Sequence, residues 1–299
     1  MYNTETKQRW LDMKNAETIT SPNFYANKFS NTEPYESMYG KDLCNFTVSE
    51  IMDMYKSMNI YSPFTVYTTN KIYADYTSWC IAEGLVNDSQ NHFLEITREM
   101  TLECVNKSAM NYKIISSEQI TEWCNAAINY ADKFLLLGLF EGLKGNKFVD
   151  LTDTKISDLN GNEFHLPSGR TLEFSDKLIM YAKESHNETV YTYYNSGRQA
   201  PLAMTEEIMK PVAIAKSFKT FNKWKRLFTR YDEIANYMGF KGTIAMNDIR
   251  TSGMIDYINR NANKEGVGAE EYIKTHKTEI EYRYARTYKF YETYKDYLV

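Results

Sequence analysis

ISDLNGNEFHLPSGRTLEFSDKL, residues 156–178, is where the pattern of this chain changes. On either side apolar residues recur at steps of three and four, the period of a helix. Inside it Phe164 and Leu166, then Leu172 and Phe174, alternate with polar neighbours, the period of a strand. Strands over 163–166 and 171–174 would flank the Pro167-Ser168-Gly169 turn, and Ser175 is placed to cap a following helix. The expected architecture is mainly α, with one small hairpin set among helices.

Upstream, SSEQITEWCNAAINYADKFLLLGLFEGL (116–143) opens with Ser116 and Gln119 at capping distance. It then runs apolar almost all round, which predicts a single central buried helix. Further back, Thr47 and Glu50 have capping-box spacing ahead of Ile51, Met54, Tyr55 and Met58 on one face. SPFTVYTTNKIYADYTSWCIAEGL (62–85) reads as a helix capped by Ser62, started by Pro63 and ended by Gly84. Its buried face would carry Val66, Ile72, Tyr73, Tyr76, Trp79 and Cys80. The stretch from Val86 to about Lys113 holds the junction, giving domains over 1–110 and 111–299. Downstream, 188–202 read as irregular with room for a strand. From Glu206 the chain reads as helical to its end, with breaks at GFKG (239–242) and NRNANKEGVG (259–268).

At 299 residues the chain is long enough for two cores, and 43% apolar with 15% aromatic residues is a globular composition. No apolar run approaches the ~20 residues that cross a bilayer, and the N-terminus lacks the blocks of a signal peptide. Cys44, Cys80, Cys104 and Cys124 are scattered, with no metal-ligand spacing, as reduced thiols of a cytoplasmic protein would be. No metal or cofactor is expected. Net charge is −4, but residues 1–106 hold 8 basic and 14 acidic side chains and the remainder 27 and 25. An anionic partner would be held mainly by the second part.

KSFKTFNKWKRLFTR (216–230) has six cations and no acid. Read as a helix, Lys216, Lys219, Lys223, Arg226 and Arg230 share one face, with Phe218, Phe221, Leu227 and Phe228 filling much of the rest. Such a stripe suits a phosphate backbone and equally suits solvated lysines.

In this order the pieces resemble a tyrosine recombinase (phage integrase). The helix at 62–85 is similar to that family's core-binding domain. GLKGNKFVDLTDTKISDL (142–159) falls where the family has Gly-Leu-Arg-x-Ser-Glu-Leu, the hairpin follows, and MNDIRTSGMI (246–255) resembles the His-x-x-Arg box. The tail YRYARTYKFYETY lies where the nucleophilic tyrosine belongs, with Tyr282, Tyr284 and Tyr288 as alternatives. The resemblance implies a core-binding-like domain over 1–110 and a degenerate catalytic-like domain over 111–299, mostly α with a small sheet.

The departures bear on chemistry. The first catalytic arginine falls on Lys144, and the Ser-Glu after it on Asn146 and Lys147. The box histidine falls on Asn247, with Arg250 kept, and the hairpin offers Arg170. Lysine lacks the planar fork that grips two phosphate oxygens, and Asn cannot shuttle a proton at neutral pH. Losing one such donor costs about a hundred- to a thousandfold in rate. No catalytic residue is therefore assigned, and Lys144, Arg170, Asn247, Arg250 and Tyr284 are degenerate positions. MYN, LFEG and IRTSGMI are similar to a narrower group, the lytic-cycle repressors of SPbeta-type phages (MrpR). That likeness implies a double-stranded DNA-binding repressor of phage lytic genes, acting at operators in the bacterial cytoplasm to maintain lysogeny. Its implied DNA contacts are Arg250, Lys144, Arg170, the stripe Lys216, Lys219, Lys223, Arg226 and Arg230, and Ser62, Thr65, Thr68 and Lys71 of the first domain. Two other readings stand beside it: an active recombinase using Lys144, Arg250 and a C-terminal tyrosine, and a helical adaptor for a phage or host protein.

Overall fold

In a computed structural model, the structure describes residues 1–17, 22–60, 63–86, 88–106, 110–213, 223–285 and 290–299. They form two compact units, Met1–Asn111 and Tyr112–Val299. No described helix is long and apolar enough to cross a membrane.

The first unit contains α1 (Thr4–Glu17), α2 (Pro22–Tyr39), α3 (Val48–Ser57), α4 (Pro63–Ala82) and α5 (Arg98–Glu103). The capping box starts α3: Thr47 Oγ1 accepts from Glu50 N and the Glu50 carboxylate accepts from Thr47 N at 2.7 Å. Gly84 ends α4 at φ +68, where Leu85 N donates to Cys80 O at 2.9 Å, the bond that only a left-handed residue allows. Val66, Tyr73, Tyr76 and Cys80 are buried as expected, with Ile72 and Trp79 half-buried at the edge of the core. Trp10, Phe29 and Tyr76 meet edge-on at its centre. Beside them Lys7 and Glu36, both fully buried, form an ion pair, and Glu36 also accepts from Leu43 N at 2.8 Å. A buried charge is tolerated only with such complete pairing.

The second unit departs from its sequence reading in its helices at two places. The stretch 116–143 is two helices, α6 (Ser117–Ala126) and α7 (Tyr130–Phe140), because the backbone is extended at Ala127 and Asn129. Asn129 donates to Thr192 O at 3.1 Å and accepts from Thr192 N at 2.8 Å, while the Glu188 carboxylate caps α7 by accepting from Tyr130 N and Ala131 N. A carboxylate on the first exposed amides of a helix satisfies them and suits the dipole. Second, residues 206–213 are not helical, with isolated bridges pairing Lys155 with Glu207 and Leu202 with Val212. The described helix begins only at Lys223; Lys216 and Lys219 lie outside the described residues. The break expected within NRNANKEGVG is present, at Gly266 with φ +70.

After a single turn α8 (Val149–Thr152), strands β1 (Leu159–Asn160), β2 (Glu163–His165) and β3 (Thr171–Glu173) form an antiparallel sheet in that order, with Phe164 opposite Leu172. The hairpin thus gains a third strand. Ser175 caps α9 (Asp176–Asn187), accepting from Leu178 N. β4 (Val190–Thr192) and β5 (Gln199–Pro201) pair antiparallel. α10 (Lys223–Tyr237), α11 (Met246–Glu265), α12 (Ala269–Thr275), α13 (Lys277–Tyr284) and α14 (Phe290–Tyr294) follow. The apolar α7 is the central rod, packed by α6, α9 and α11.

Candidate nucleic-acid interface

α7 runs out at Phe140 into the loop 142–148, which bends sharply. Lys147 and Phe148 both adopt left-handed backbone, φ +51 and +61, rare for residues with a side chain. Behind the loop lies Asp150, fully buried. Its carboxylate accepts from Lys144 N at 3.4 Å, from Ser168 N at 3.0 Å and from Arg170 Nη2. Arg170 also donates through Nε to Ser168 Oγ at 3.1 Å, and through Nη1 to Arg283 O at 2.6 Å and Tyr282 O at 3.1 Å. Arg250, itself buried, donates to Tyr284 O. Arg170 and Arg250, far apart in the chain, both donate to carbonyls at the C-terminal end of α13, and Asp150 ties Lys144 N to Arg170.

The manner of meeting matters chemically. Helix-end carbonyls are partly negative and without intrahelical partners. Arg170 and Arg250 therefore face backbone carbonyls of their own unit, in the way they would face an anion. The Tyr284 phenol is 3% exposed and lies 3.2 Å from both Phe140 O and Gly253 O. Burial pushes its pKa up. Tyr282 is different: it is 47% exposed, and its phenol oxygen accepts from Thr171 N at 2.9 Å. Tyr288 lies outside the described residues. Asn247 is exposed, one turn before Arg250. Asp248 accepts from Ala245 N at 2.9 Å and pairs with Lys113 at 3.3 Å.

The basic stripe is divided by its surroundings. Lys223 pairs with Asp153 at 2.9 Å and Glu207 at 3.2 Å. Partial burial opposes its charge, but those two carboxylates outweigh it and raise its pKa. Arg230 turns inward, with Nε 3.5 Å from Asp132 and its guanidinium 4.5 Å over the Tyr191 ring. Asp132 is fully buried and also accepts from Asn129 Nδ2 at 2.7 Å and Tyr194 Oη at 2.9 Å. Burial pushes its carboxyl up, against the pull of Arg230 and these hydrogen bonds. The shared face is divided in the structure: Lys223 and Arg230 are engaged within the unit, because acids on α7, the 153 turn and the 207 segment lie opposite them. Arg170 is engaged in the same way, since a buried carboxylate and helix-end carbonyls hold its fork.

Half-exposed Arg226 and exposed Lys225 lie on α10 beside Trp224 and Phe228. Phe148 packs edge-on against Phe228, ring centres 5.7 Å apart, which brings the loop with exposed Lys147 and half-buried Lys144 next to α10. Lys147 and Lys225 were missed from sequence. Lys147 stands where the recombinase motif has an acid, and Lys225 falls off the counted face.

In the first unit Thr65 and Lys71 are exposed and Thr68 is half-buried, its hydroxyl donating to Thr65 O at 3.2 Å. Thr69 is buried and accepts from Lys28 Nζ at 3.0 Å. Burial lowers the Lys28 pKa. Ser62 lies outside the described residues.

Residues 1–83 match the family description "MrpR, N-terminal core-binding domain", and residues 114–298 match "MrpR, C-terminal catalytic domain". The SPbeta prophage-derived uncharacterized protein YopR of Bacillus subtilis (strain 168) is 26% identical over 234 residues, 75% of this chain and 69% of that protein. Among solved structures, a lambda integrase(75-356) dimer bound to a COC' core site is similar at TM-score 0.47 and 12% identity, covering 98% of this chain and 95% of that one. A lambda integrase tetramer bound to a Holliday junction gives TM-score 0.47 at 12% identity over 95% and 77% of the two chains.

Proposed function

We propose that this chain, which belongs to the MrpR family and has its core-binding and catalytic-type domains on an integrase-like, mainly α fold, holds double-stranded DNA without cutting it. It represses phage lytic genes by occupying operator duplex, and so maintains lysogeny in the cytoplasm of the host. The observation that carries this reading is the Tyr284 phenol, sealed between Phe140 O and Gly253 O while Arg170 and Arg250 face the carbonyls of α13.

Strand cleavage needs a phenolate to reach phosphorus, donors on the equatorial oxygens and an acid for the leaving oxygen. Here the phenol is buried with a raised pKa, the two guanidiniums have partners, and Asn247 replaces the proton carrier. Phosphate attraction falls instead to Lys144, Lys147, Lys225 and Arg226, with Thr65, Thr68 and Lys71 on the first unit. Lysine and arginine of this kind hold the backbone; sequence is read at base edges. Neither step calls for a metal or cofactor.

The test is binding to duplex fragments of the source phage genome at several salt concentrations, against unrelated duplex. Tight binding confined to particular fragments supports the repressor; equal affinity for all duplexes, or none, removes it. One observation favours a second reading, residual strand cleavage: Tyr282 keeps an exposed phenol beside the Arg170 cluster.

A further inference from the structure

Asp150 lies just behind the loop that carries Lys144 and Lys147, and charge alone makes it unfavourable there, since it subtracts from the attraction for a polyanion. Its contacts explain its presence. Three donors from two separate segments converge on this one buried carboxylate: Lys144 N from the loop, and Ser168 N and Arg170 Nη2 from the hairpin turn. The backbone closes the same loop, with Asp150 N donating to Lys144 O at 3.2 Å. At Gly145 a Cβ would overlap Val149 Cγ1 and come within 3.0 Å of Asp150 Oδ1, so the loop is wrapped directly onto the carboxylate.

Left-handed backbone at consecutive side-chain-bearing residues persists only where surrounding contacts determine it. Around Lys147 and Phe148 the loop is held by Asp150 at Lys144 and Gly145 on one side and by the Phe148–Phe228 packing on the other. The result is an exposed lysine on a loop held against α10, the helix that carries Lys225 and Arg226. Ordering before binding removes an entropic cost that a lysine on a loose loop would bear.

We propose that Asp150 is a positioning residue for duplex binding, holding the 142–148 loop and the 167–170 turn as one unit so that Lys147 meets a DNA phosphate together with Lys225 and Arg226. This rests on the duplex-binding reading above.

The sign of the effect separates position from charge. Asp150→Asn removes a negative charge, so electrostatics alone predicts tighter binding. Positioning predicts about tenfold weaker binding near 0.1 M salt, with the slope of log K against log salt shallower by about 1, the share of one lost phosphate contact. Arg170→Lys keeps the charge but loses the fork, and is expected to weaken binding in the same direction. Fluorescence anisotropy on a labelled duplex reads both, and circular dichroism checks that each variant is folded. Parent-like or tighter binding by both folded variants overturns the proposal. If Asp150→Asn does not fold, Arg170→Lys alone decides. Amide hydrogen exchange gives an arm independent of DNA: Asp150→Asn should speed exchange at Lys144 and Ser168, and unchanged protection there overturns the proposal. A parent chain that binds no duplex sinks the duplex-binding reading, and the phosphate contact of Lys147 with it. In that outcome the exchange arm still decides whether Asp150 orders the loop.

Discussion

The phenol oxygen of Tyr284 lies 3.2 Å from the carbonyl oxygen of Gly253. This places the last residue of α13 against the middle of α11, and the same phenol reaches Phe140 O at the end of α7. Gly253 belongs to IRTSGMI, and its lack of a side chain is what lets the helices touch: a Cβ there would overlap the Phe140 carbonyl. The Tyr284 phenol thus joins three helices of the unit.

Tyr284→Phe should lower stability by about 1 kcal/mol, the net worth of a buried hydrogen bond, and leave duplex affinity unchanged. Urea unfolding and anisotropy on the same variant check both halves. A large loss of affinity without loss of stability would place the phenol at the DNA instead.

Gly253→Ala should be far more damaging, by about 3 kcal/mol or more, since the obstacle is backbone and α7 and α11 have to separate. The expected result is a strongly lowered melting temperature.

The effect of changing charge on α10 should depend on which cation is chosen. Lys225→Glu with Arg226→Glu should weaken duplex binding and flatten its salt slope by about 2, one phosphate contact for each. Lys223→Gln should do much less to affinity, because Asp153 and Glu207 already hold its amine. Its stability cost should stay under about 1 kcal/mol, as for a half-exposed pair. Salt titrations of the two variants side by side make the comparison.

Asp132 gives a pH dependence with a definite sign. Burial raises its carboxyl above the ordinary value of 3.8, so the folded state holds the proton more tightly than the unfolded one. Its contribution to stability is fully present below the ordinary value and is lost as pH rises through the raised one. Asp132→Asn should lack this decline, and the difference in unfolding free energy between parent and variant, followed from pH 4 upward, should fall with rising pH. Arg230→Met should make neutral-pH stability worse by about 3 kcal/mol, because the carboxylate is left buried without its cation.

Local signals carried much of the fold. The Thr47–Glu50 box, the Ser175 cap, the Gly84 stop and the hairpin around Pro167-Ser168-Gly169 are each made by residues a few positions apart, and each is visible in the chain. The break at Ala127–Asn129 was not, because Glu188 and Thr192 impose it from about sixty residues away. The same holds at the site. Periodicity placed Lys223 and Arg230 on one helical face but says nothing of the acids that α7 and the 207 segment set opposite that face. Resemblance singled out Lys144, Arg170, Arg250 and Tyr284. Their engagement with Asp150 and with helix-end carbonyls depends on tertiary contacts that no spacing encodes.

The most direct test of a duplex-holding protein that does not cut is a nicked suicide duplex carrying the bound site, incubated with the parent chain and resolved with and without SDS. The account predicts a retarded complex in native gels that SDS dissolves completely. An SDS-resistant protein–DNA adduct that disappears on Tyr282→Phe or Tyr284→Phe would contradict it.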